Sequence, residues 1–282
     1  MTDKYYTLAN GNVIPTIGFG TWRLANGSEA YDAVSHALKV GYRHIDTAEI
    51  YGNEESIGQA IKDSQVPRED IFLTTKVWND KITYEETLAG FQNSLDRLQT
   101  DYVDLLLIHW PNPKAIRGTI GYKERNKEVW QALEALYQEG KARAIGISNF
   151  MPHHLEALLE TAEIKPMVNQ ILLAPGTIQE EIVNMCRQHH ILLEAYSPFG
   201  SGDIFKNAEL QEIADKYDRS IAQIALRWSL QNEFLPLPRS SKPKNIEQNL
   251  DVFGFELAEE DMEKMTHLES FVTAPNPDER DF

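Results

Sequence analysis

Short aliphatic and β-branched runs alternate with amphipathic segments along the whole chain. The runs that read as strands are Ile17–Gly20, His44–Ala48, Ile71–Val77, Val103–Trp110, Ala144–Ser148, Met167–Leu172, Leu192–Ser197 and Leu235–Arg239. Between them the apolar period lengthens to that of a helix. Leu88, Phe91, Leu95 and Leu98 share one face, and Thr83 with Glu86 reads as a capping box at its start. Val129, Ala132, Leu133 and Leu136 share another, which Gly140 stops. Pro152 stands in the first turn of a third, whose apolar face is Leu155, Leu158, Leu159 and Ala162. Strand–helix alternation at this spacing implies parallel strands joined by crossover helices. So many units favour closure over an open sheet. The expected fold is α/β, a (β/α)8 TIM barrel, with residues 1–282 as a single domain.

Two stretches break the alternation. Residues 5–16 (YYTLANGNVIPT) contain Asn10-Gly11, a type I′ turn signal, and predict a β-hairpin plugging the N-terminal end of the barrel. Residues 111–125 (PNPKAIRGTIGYKER) predict a long loop after the fourth barrel strand, placed to shape a substrate pocket.

Composition narrows the partners. With 42% apolar residues in 282, the chain has ample material for a core. Its net charge of −16 repels phosphate backbones and anionic lipid, which argues against nucleic acid and membrane surfaces. A phosphorylated cofactor would need a local positive pocket. The one cysteine, Cys186, excludes an intramolecular disulfide, suits a reducing compartment and reads as an inert packed thiol in a helix. The N-terminus lacks an apolar signal core and no run approaches ~18 apolar residues, so a soluble, cytoplasmic protein is expected.

Candidate chemistry lies at the strand ends. Asp46, Tyr51, Lys76 and His109 fall at or just past the C-terminal ends of the apolar runs in HIDTAEIY, IFLTTKV and DLLLIHW, where a barrel places its active site. Each has a bland reading: Tyr51 as packing, Asp46 as a turn cap, His109 as a core imidazole. Lys76 is harder to dismiss, because an ammonium ending an apolar strand needs a partner. Together the four can protonate a carbonyl oxygen. None is a hydride source, which points to a reductase that borrows its hydride from a cofactor. Metal binding through Asp46 and His109 lacks a third ligand at a recognisable spacing, so no metal is expected. His153-His154 and His189-His190 are adjacent pairs that should point apart on a helix and read as solvated or capping. A Schiff base on Lys76 is the more serious rival, although pairing with Asp46 would raise the amine's pKa and oppose it. GFGTWR lacks the third glycine of a dinucleotide fingerprint and opens no helix.

At DTAEIYGNE (46–54) the chain resembles the aldo-keto reductase family. GFGTW (18–22), TTKVW (74–78), LLLIHWP (105–111), IGISNF (145–150), VNQ (168–170) and AYSPFGSG (195–202) match that family's motifs in the family's order. The short C-terminal tail resembles bacterial members, the 2,5-diketo-gluconate and glyoxal reductases among them. The resemblance implies NADPH-dependent reduction of aldehydes and ketones by a monomeric barrel. It implies Tyr51 as proton donor, its phenol acidified by Lys76, with Asp46 holding Lys76 and His109 orienting the substrate oxygen. It places the cofactor along Gly20, Thr21 and Trp22; Ser148, Asn149 and Gln170 on the nicotinamide carboxamide; Tyr196 stacked on the ring; and Ser197, Phe199 and Ser201 along the pyrophosphate, with Asp203 in the strap that closes over it. Arg239, Ser240, Asn245, Gln248 and Asn249 fall at the adenosine end. There the chain departs from the family: Asn245 stands where an arginine grips the 2′-phosphate and Gln248 replaces a glutamate. Lys242 and Lys244 are the candidates to supply the missing charge, so the expectation is NADPH preferred less strictly than usual, with NADH use allowed. Trp22, Trp78 and Trp110, with His109, are expected to line a pocket for a small carbonyl substrate. Lys114, Arg117, Lys123 and Arg125 suggest acidic or phosphorylated substrates, unless the acidic tail PNPDERDF folds over and cancels their charge. A cofactor-binding sensor with little turnover is the non-enzymatic alternative.

Overall fold

The chain begins with an antiparallel hairpin, β1 (Tyr5–Thr7) and β2 (Val13–Pro15). The computed structural model describes residues 4–282, apart from the side chain of Ser201. After the hairpin, strands and helices alternate. They are β3 (Phe19–Gly20), α1 (Ser28–Val40), β4 (His44–Asp46), α2 (Glu54–Asp63), β5 (Phe72–Val77), α3 (Tyr84–Leu98), β6 (Leu105–Ile108), α4 (Tyr122–Gln138), β7 (Ile145–Ser148), α5 (Pro152–Leu159), β8 (Val168–Leu172), α6 (Glu180–Gln188) and β9 (Leu192–Tyr196). Then come α7 (Ala208–Lys216), α8 (Ile221–Gln231), β10 (Phe234–Leu237), α9 (Pro243–Leu250) and α10 (Glu259–Thr266). The eight strands β3 to β10 are parallel and paired in chain order. Gly18 and Gly20 donate to the carbonyls of Pro236 and Pro238, both at 3.0 Å, and so bring β3 to β10.

These strands read as apolar runs because both faces are buried. Inward residues, Phe72, Leu105, Leu107, Ala144, Val168, Leu235 and Leu237, fill the barrel. Outward residues such as Ile45, Leu73, Leu106, Ile147 and Leu193 meet the helix ring. The expected capping box at Thr83 and Glu86 is formed, and Pro152 opens α5. Glycine is required where β3 meets its neighbours: a Cβ on Gly18 would stand 2.5 Å from Leu237 Cδ2 and 2.6 Å from His44 Nδ1.

The hairpin closes the N-terminal end, as expected, with Leu8 and Ile14 buried among Phe72, Leu105 and Val168. Its turn differs from the sequence reading. Gly11 N–H donates to Leu8 O at 2.9 Å, and Gly11 alone in the loop has a positive φ, of 87°. Ala9 and Asn10 therefore form the turn and Gly11 the left-handed bulge residue, whereas a type I′ turn needs positive φ at both Asn10 and Gly11. Asn10 is held instead by its amide, which donates to Arg143 O at 2.9 Å. The loop expected over 111–125 is also shorter, because α4 already begins at Tyr122.

Gly58 tests how tightly the helix ring is packed. A Cβ there would lie 2.5 Å from the backbone carbonyl of Leu98 at the end of α3. Alanine normally favours a helix interior by up to about 1 kcal/mol over glycine. Here overpacking of about 1–3 kcal/mol opposes it. We expect Gly58→Ala to lower the urea midpoint; a raised midpoint would show that α2 and α3 have room to separate.

Candidate active site

The site forms where inward strand positions reach the C-terminal mouth. Asp46 ends β4 and Lys76 lies near the end of β5, both buried. A single helical turn, Glu49–Tyr51, follows β4 and swings Tyr51 back over them, with Gly52 left-handed behind it. Asn53 fixes that loop. Its amide donates to Thr21 O and Leu24 O, both at 3.0 Å, and accepts from Thr47 Oγ1. His109 follows β6, its ring edge-on to Tyr51 at 5.7 Å. The four residues singled out from the sequence are therefore brought together.

Their contacts define the electrostatics. Lys76 Nζ lies 2.8 Å from Asp46 Oδ1, Asp46 Oδ2 and Thr47 O, and 3.4 Å from Tyr51 Oη. Burial pulls the ammonium down, but Asp46, by its charge and its hydrogen bond, more than offsets this and holds it above its ordinary pKa. An amine so held has no lone pair to offer a carbonyl carbon, which counts against a Schiff base. Tyr51 departs from the sequence expectation. Lys76 does lower its phenol, yet burial outweighs that, aided by Asp46, and the net shift is upward. The hydroxyl thus keeps its proton in the protein without ligand. Burial, then Lys76, drives His109 well below its usual value, so its imidazole is neutral. Its Nδ1 is buried without a partner among the described residues.

Behind this group lies a residue the sequence reading missed. Glu194, fully buried on β9 two positions before Tyr196, accepts from Gln170 Nε2 at 2.7 Å. The same nitrogen donates to Asp46 Oδ2 at 2.8 Å. Burial, with Asp46 nearby, pushes Glu194 up to about 8. Burial also pushes the neighbouring His44 down to about 3. The two approach to 3.8 Å, but with these shifts they are a neutral acid and a neutral imidazole rather than an ion pair at pH 7. The available signal was an acid inside the apolar run LLEAY, at the parity that faces inward.

The other predicted residues divide into those that converge and those engaged elsewhere. Ser148, Asn149, Gln170 and Tyr196 converge: Asn149 Nδ2 donates to His109 O and Ser148 Oγ, both at 3.0 Å, and Tyr196 Oη donates to Asn149 Oδ1 at 2.7 Å. Asn149 and Ser197 hold left-handed backbones, φ 60° and 51°, the kind of local strain that gathers at working sites. Gly20 and Thr21 are buried, and Thr21 Oγ1 donates to Asp46 O at 2.9 Å. Trp22 is exposed, with Arg23 over its ring. At the far end, Phe199, Arg239, Ser240, Asn245, Gln248 and Asn249 line a cavity of about 550 Å³. Lys242, which caps α9, and Lys244, in its first turn, are exposed and do not line it. The side chain of Ser201 lies outside the described residues. A cavity lined by one guanidinium, two hydroxyls and four amides, together with the cluster of amide and phenol groups at the mouth, fits a phosphorylated dinucleotide.

The pocket wall holds two corrections. Phe282 completes it, its ring 5.6 Å from Trp78 and 5.0 Å from Trp110, with Trp78 in turn edge-on to His109. The basic cluster proposed for acidic substrates is dispersed. Lys114 pairs with Asp281 at 2.9 Å, Arg117 donates to Pro277 O at 2.8 Å, and Lys123 is exposed on α4. Arg125 is fully buried and donates to the carbonyls of Lys81, Trp110 and Trp78. Residues 277–282 thus occupy Lys114 and Arg117 only. His153 and His154 do not point apart either: their Nε2 atoms meet Asp278 at 3.1 and 2.9 Å. Three ligand-type atoms gather within 4.8 Å of one another there. His154 Nδ1 accepts from Met151 N, so its Nε2 carries the hydrogen, and the group is a hydrogen-bonded clasp for that segment. His189 and His190 end α6, as expected of capping residues. Cys186 is buried, its thiol pushed up to about 11, in keeping with an inert role.

Glu194 gives stability a defined pH dependence. In the fold it keeps its proton to about pH 8, while its ordinary value is 4.5. Between those values the native state binds more protons, so the contribution is complete at low pH and fades as pH rises through about 8. Stability of the wild type relative to Glu194→Gln, from urea unfolding, should therefore fall from about pH 5 to about pH 8. A flat difference would show that Glu194 is ionised in the fold.

Comparison with known proteins agrees with this geometry. Residues 16–270 match the model of the aldo/keto reductase family. The chain is 49% identical over 273 residues to a glyoxal reductase of Bacillus subtilis, covering 96% of this chain and 95% of that one. It resembles a crystal structure of an aldo/keto reductase from Brucella melitensis, with TM-score 0.87, 44% identity and coverage of 93% and 98%. It also resembles Gox0644, crystallised as a variant in complex with NADPH, with TM-score 0.91, 34% identity and coverage of 100% of both chains.

Proposed function

The chain belongs to the aldo/keto reductase family, and from that premise we propose how its side chains carry out NADPH-dependent reduction of aldehydes and ketones. The observation that supports the assignment most directly is Lys76 Nζ, bound to both oxygens of Asp46 and 3.4 Å from Tyr51 Oη at the barrel mouth. NADPH, when bound, supplies the hydride. Tyr51 gives its proton to the carbonyl oxygen as the carbonyl carbon is reduced. Lys76 stabilises the negative charge left on the phenol, and a buried cation is effective there because little water screens it. Asp46 keeps the ammonium in place. His109, neutral and facing Tyr51, orients the carbonyl oxygen by a hydrogen bond. Ser148, Asn149, Gln170 and Tyr196 hold the nicotinamide. Gly20, Thr21, Trp22, Ser197, Phe199 and Ser201 follow the cofactor, and Arg239, Ser240, Asn245, Gln248 and Asn249 take the adenosine end.

Trp78, Trp110 and Phe282 leave an aromatic wall suited to small carbonyl compounds and to excluding water. This reading places the activity in one barrel spanning the chain, acting as a cytoplasmic monomer without a nucleic acid partner; the net charge of −16 supports the last point. Among the described residues no helix is long and apolar enough to cross a membrane.

Two measurements test the reading. Consumption of NADPH with a panel of small aldehydes should fall about 10²–10⁴-fold in Tyr51→Phe. Equal rates in the two proteins would remove the phenol from the chemistry. Among the described residues lining the adenosine cavity, Arg239 is the one cation. Arg239→Ala should therefore lower the ratio of kcat/KM for NADPH over NADH by about tenfold, chiefly through KM. An unchanged ratio would assign the 2′-phosphate to Lys242 and Lys244 instead.

A further inference from the structure

Glu194 and Asp46 together dictate which way the amide of Gln170 faces. Gln170 Nε2 lies between Asp46 Oδ2 at 2.8 Å and Glu194 Oε2 at 2.7 Å, and both carboxyl groups are buried. Flipping the amide would set Oε1 against the Asp46 carboxylate, which has no hydrogen to give, and would leave the Glu194 oxygen that now accepts without its donor. Both amide hydrogens are therefore committed beneath the site, and the remaining polar atom of Gln170 is an acceptor. Its neighbours are wired with the same polarity. Asn149 gives its hydrogens to His109 O and Ser148 Oγ and receives one from Tyr196 on Oδ1. Ser148 gives its own to Gln170 O at 2.8 Å. Every donor hydrogen of Ser148, Asn149 and Gln170 is thus engaged within the protein. What these side chains hold out to a ligand is oxygen lone pairs, and the matching ligand group is one that brings N–H.

Resting on the cofactor reading above, we propose that Glu194 is a positioning residue: it takes the second amide hydrogen of Gln170 and so presents Gln170 Oε1 to the N–H2 of the nicotinamide carboxamide. Asp46 can hold only one of the two hydrogens, because its oxygens also serve Lys76. Without an acceptor at position 194 the other hydrogen is left unpaired in the barrel, and turning the amide toward the mouth relieves it. That turn offers the cofactor a donor where its carboxamide also presents a donor. Glu194 fits the task as a mostly neutral acid, since burial and Asp46 push it up to about 8. One oxygen still accepts, and no second negative charge competes with Asp46 for Lys76.

The test compares NADP⁺ with its 3-acetylpyridine analogue, which keeps the carbonyl and lacks the N–H2. Dissociation constants come from quenching of tryptophan fluorescence, with no turnover needed. Wild type should bind NADP⁺ tighter than the analogue by about tenfold, the size of one hydrogen bond. Glu194→Gln keeps an acceptor and should keep that preference. Glu194→Leu should bring the two constants within about twofold of each other. Where the leucine variant fails to fold, Glu194→Val removes the same acceptor and is read in the same way. A folded Leu or Val variant that still discriminates as wild type does would overturn the proposal, as would a wild type without preference. Folded wild type that binds neither ligand would instead remove the cofactor reading beneath it.

Discussion

Everything at the mouth of this barrel depends on keeping one ammonium charged in a place without water. Lys76 is almost wholly buried, and an isolated cation there would lose its proton. Asp46 and the Thr47 carbonyl prevent this, each at 2.8 Å. The phenol of Tyr51 then has a permanent positive charge beside it, although burial keeps its proton on until a ligand calls for it. His109 is kept neutral chiefly by its burial and further by the same cation, which would repel an imidazolium. A like-charge argument applies to the carboxyls: Glu194 shares Gln170 with Asp46, and burial with that neighbour holds it protonated.

The barrel supports this chemistry by presenting inward side chains in layers. His44 precedes Asp46, Thr74 precedes Lys76 and Glu194 precedes Tyr196 by two residues each, the period that keeps a strand's side chains on one face. The lower layer is polar but buried. His44 bonds Thr74 at 3.1 Å, and Glu194 bonds Gln170. Above the mouth, a buried cation does a different task. Arg125, lowered to about 10 by burial, ties the backbone of Trp78, Lys81 and Trp110 together by donating to their carbonyls. The aromatic wall is therefore anchored from behind by α4 and covered in front by Phe282.

Much of this was legible in residue order. Asp46, Lys76 and His109 stand out because a polar side chain at the end of an apolar strand is conspicuous, and barrel topology gathers such ends at one mouth. Tyr51 is less conspicuous alone, and the surrounding motif carries it. Other features were read wrongly for want of side-chain direction. Arg125 was grouped with Lys123 in a basic loop, yet a difference of two positions on a helix turns one inward and the other to solvent. His153 and His154 looked divergent, yet both reach Asp278, more than a hundred residues downstream. Asn10-Gly11 carried the right hairpin and the wrong turn, because Arg143, distant in sequence, holds the Asn10 amide.

Residue order alone determined the period of two within strands, the longer period of the helices between them and the chemical identity of the groups at the strand ends. These are local properties, set by burial of alternate side chains and by backbone geometry. Only the tertiary structure decided protonation and polarity: that Tyr51 stays a phenol, that Glu194 stays an acid and that Gln170 turns its amide nitrogen inward. Those outcomes depend on the depth of burial and on charges contributed by strands far apart in the chain, and no window of sequence contains both.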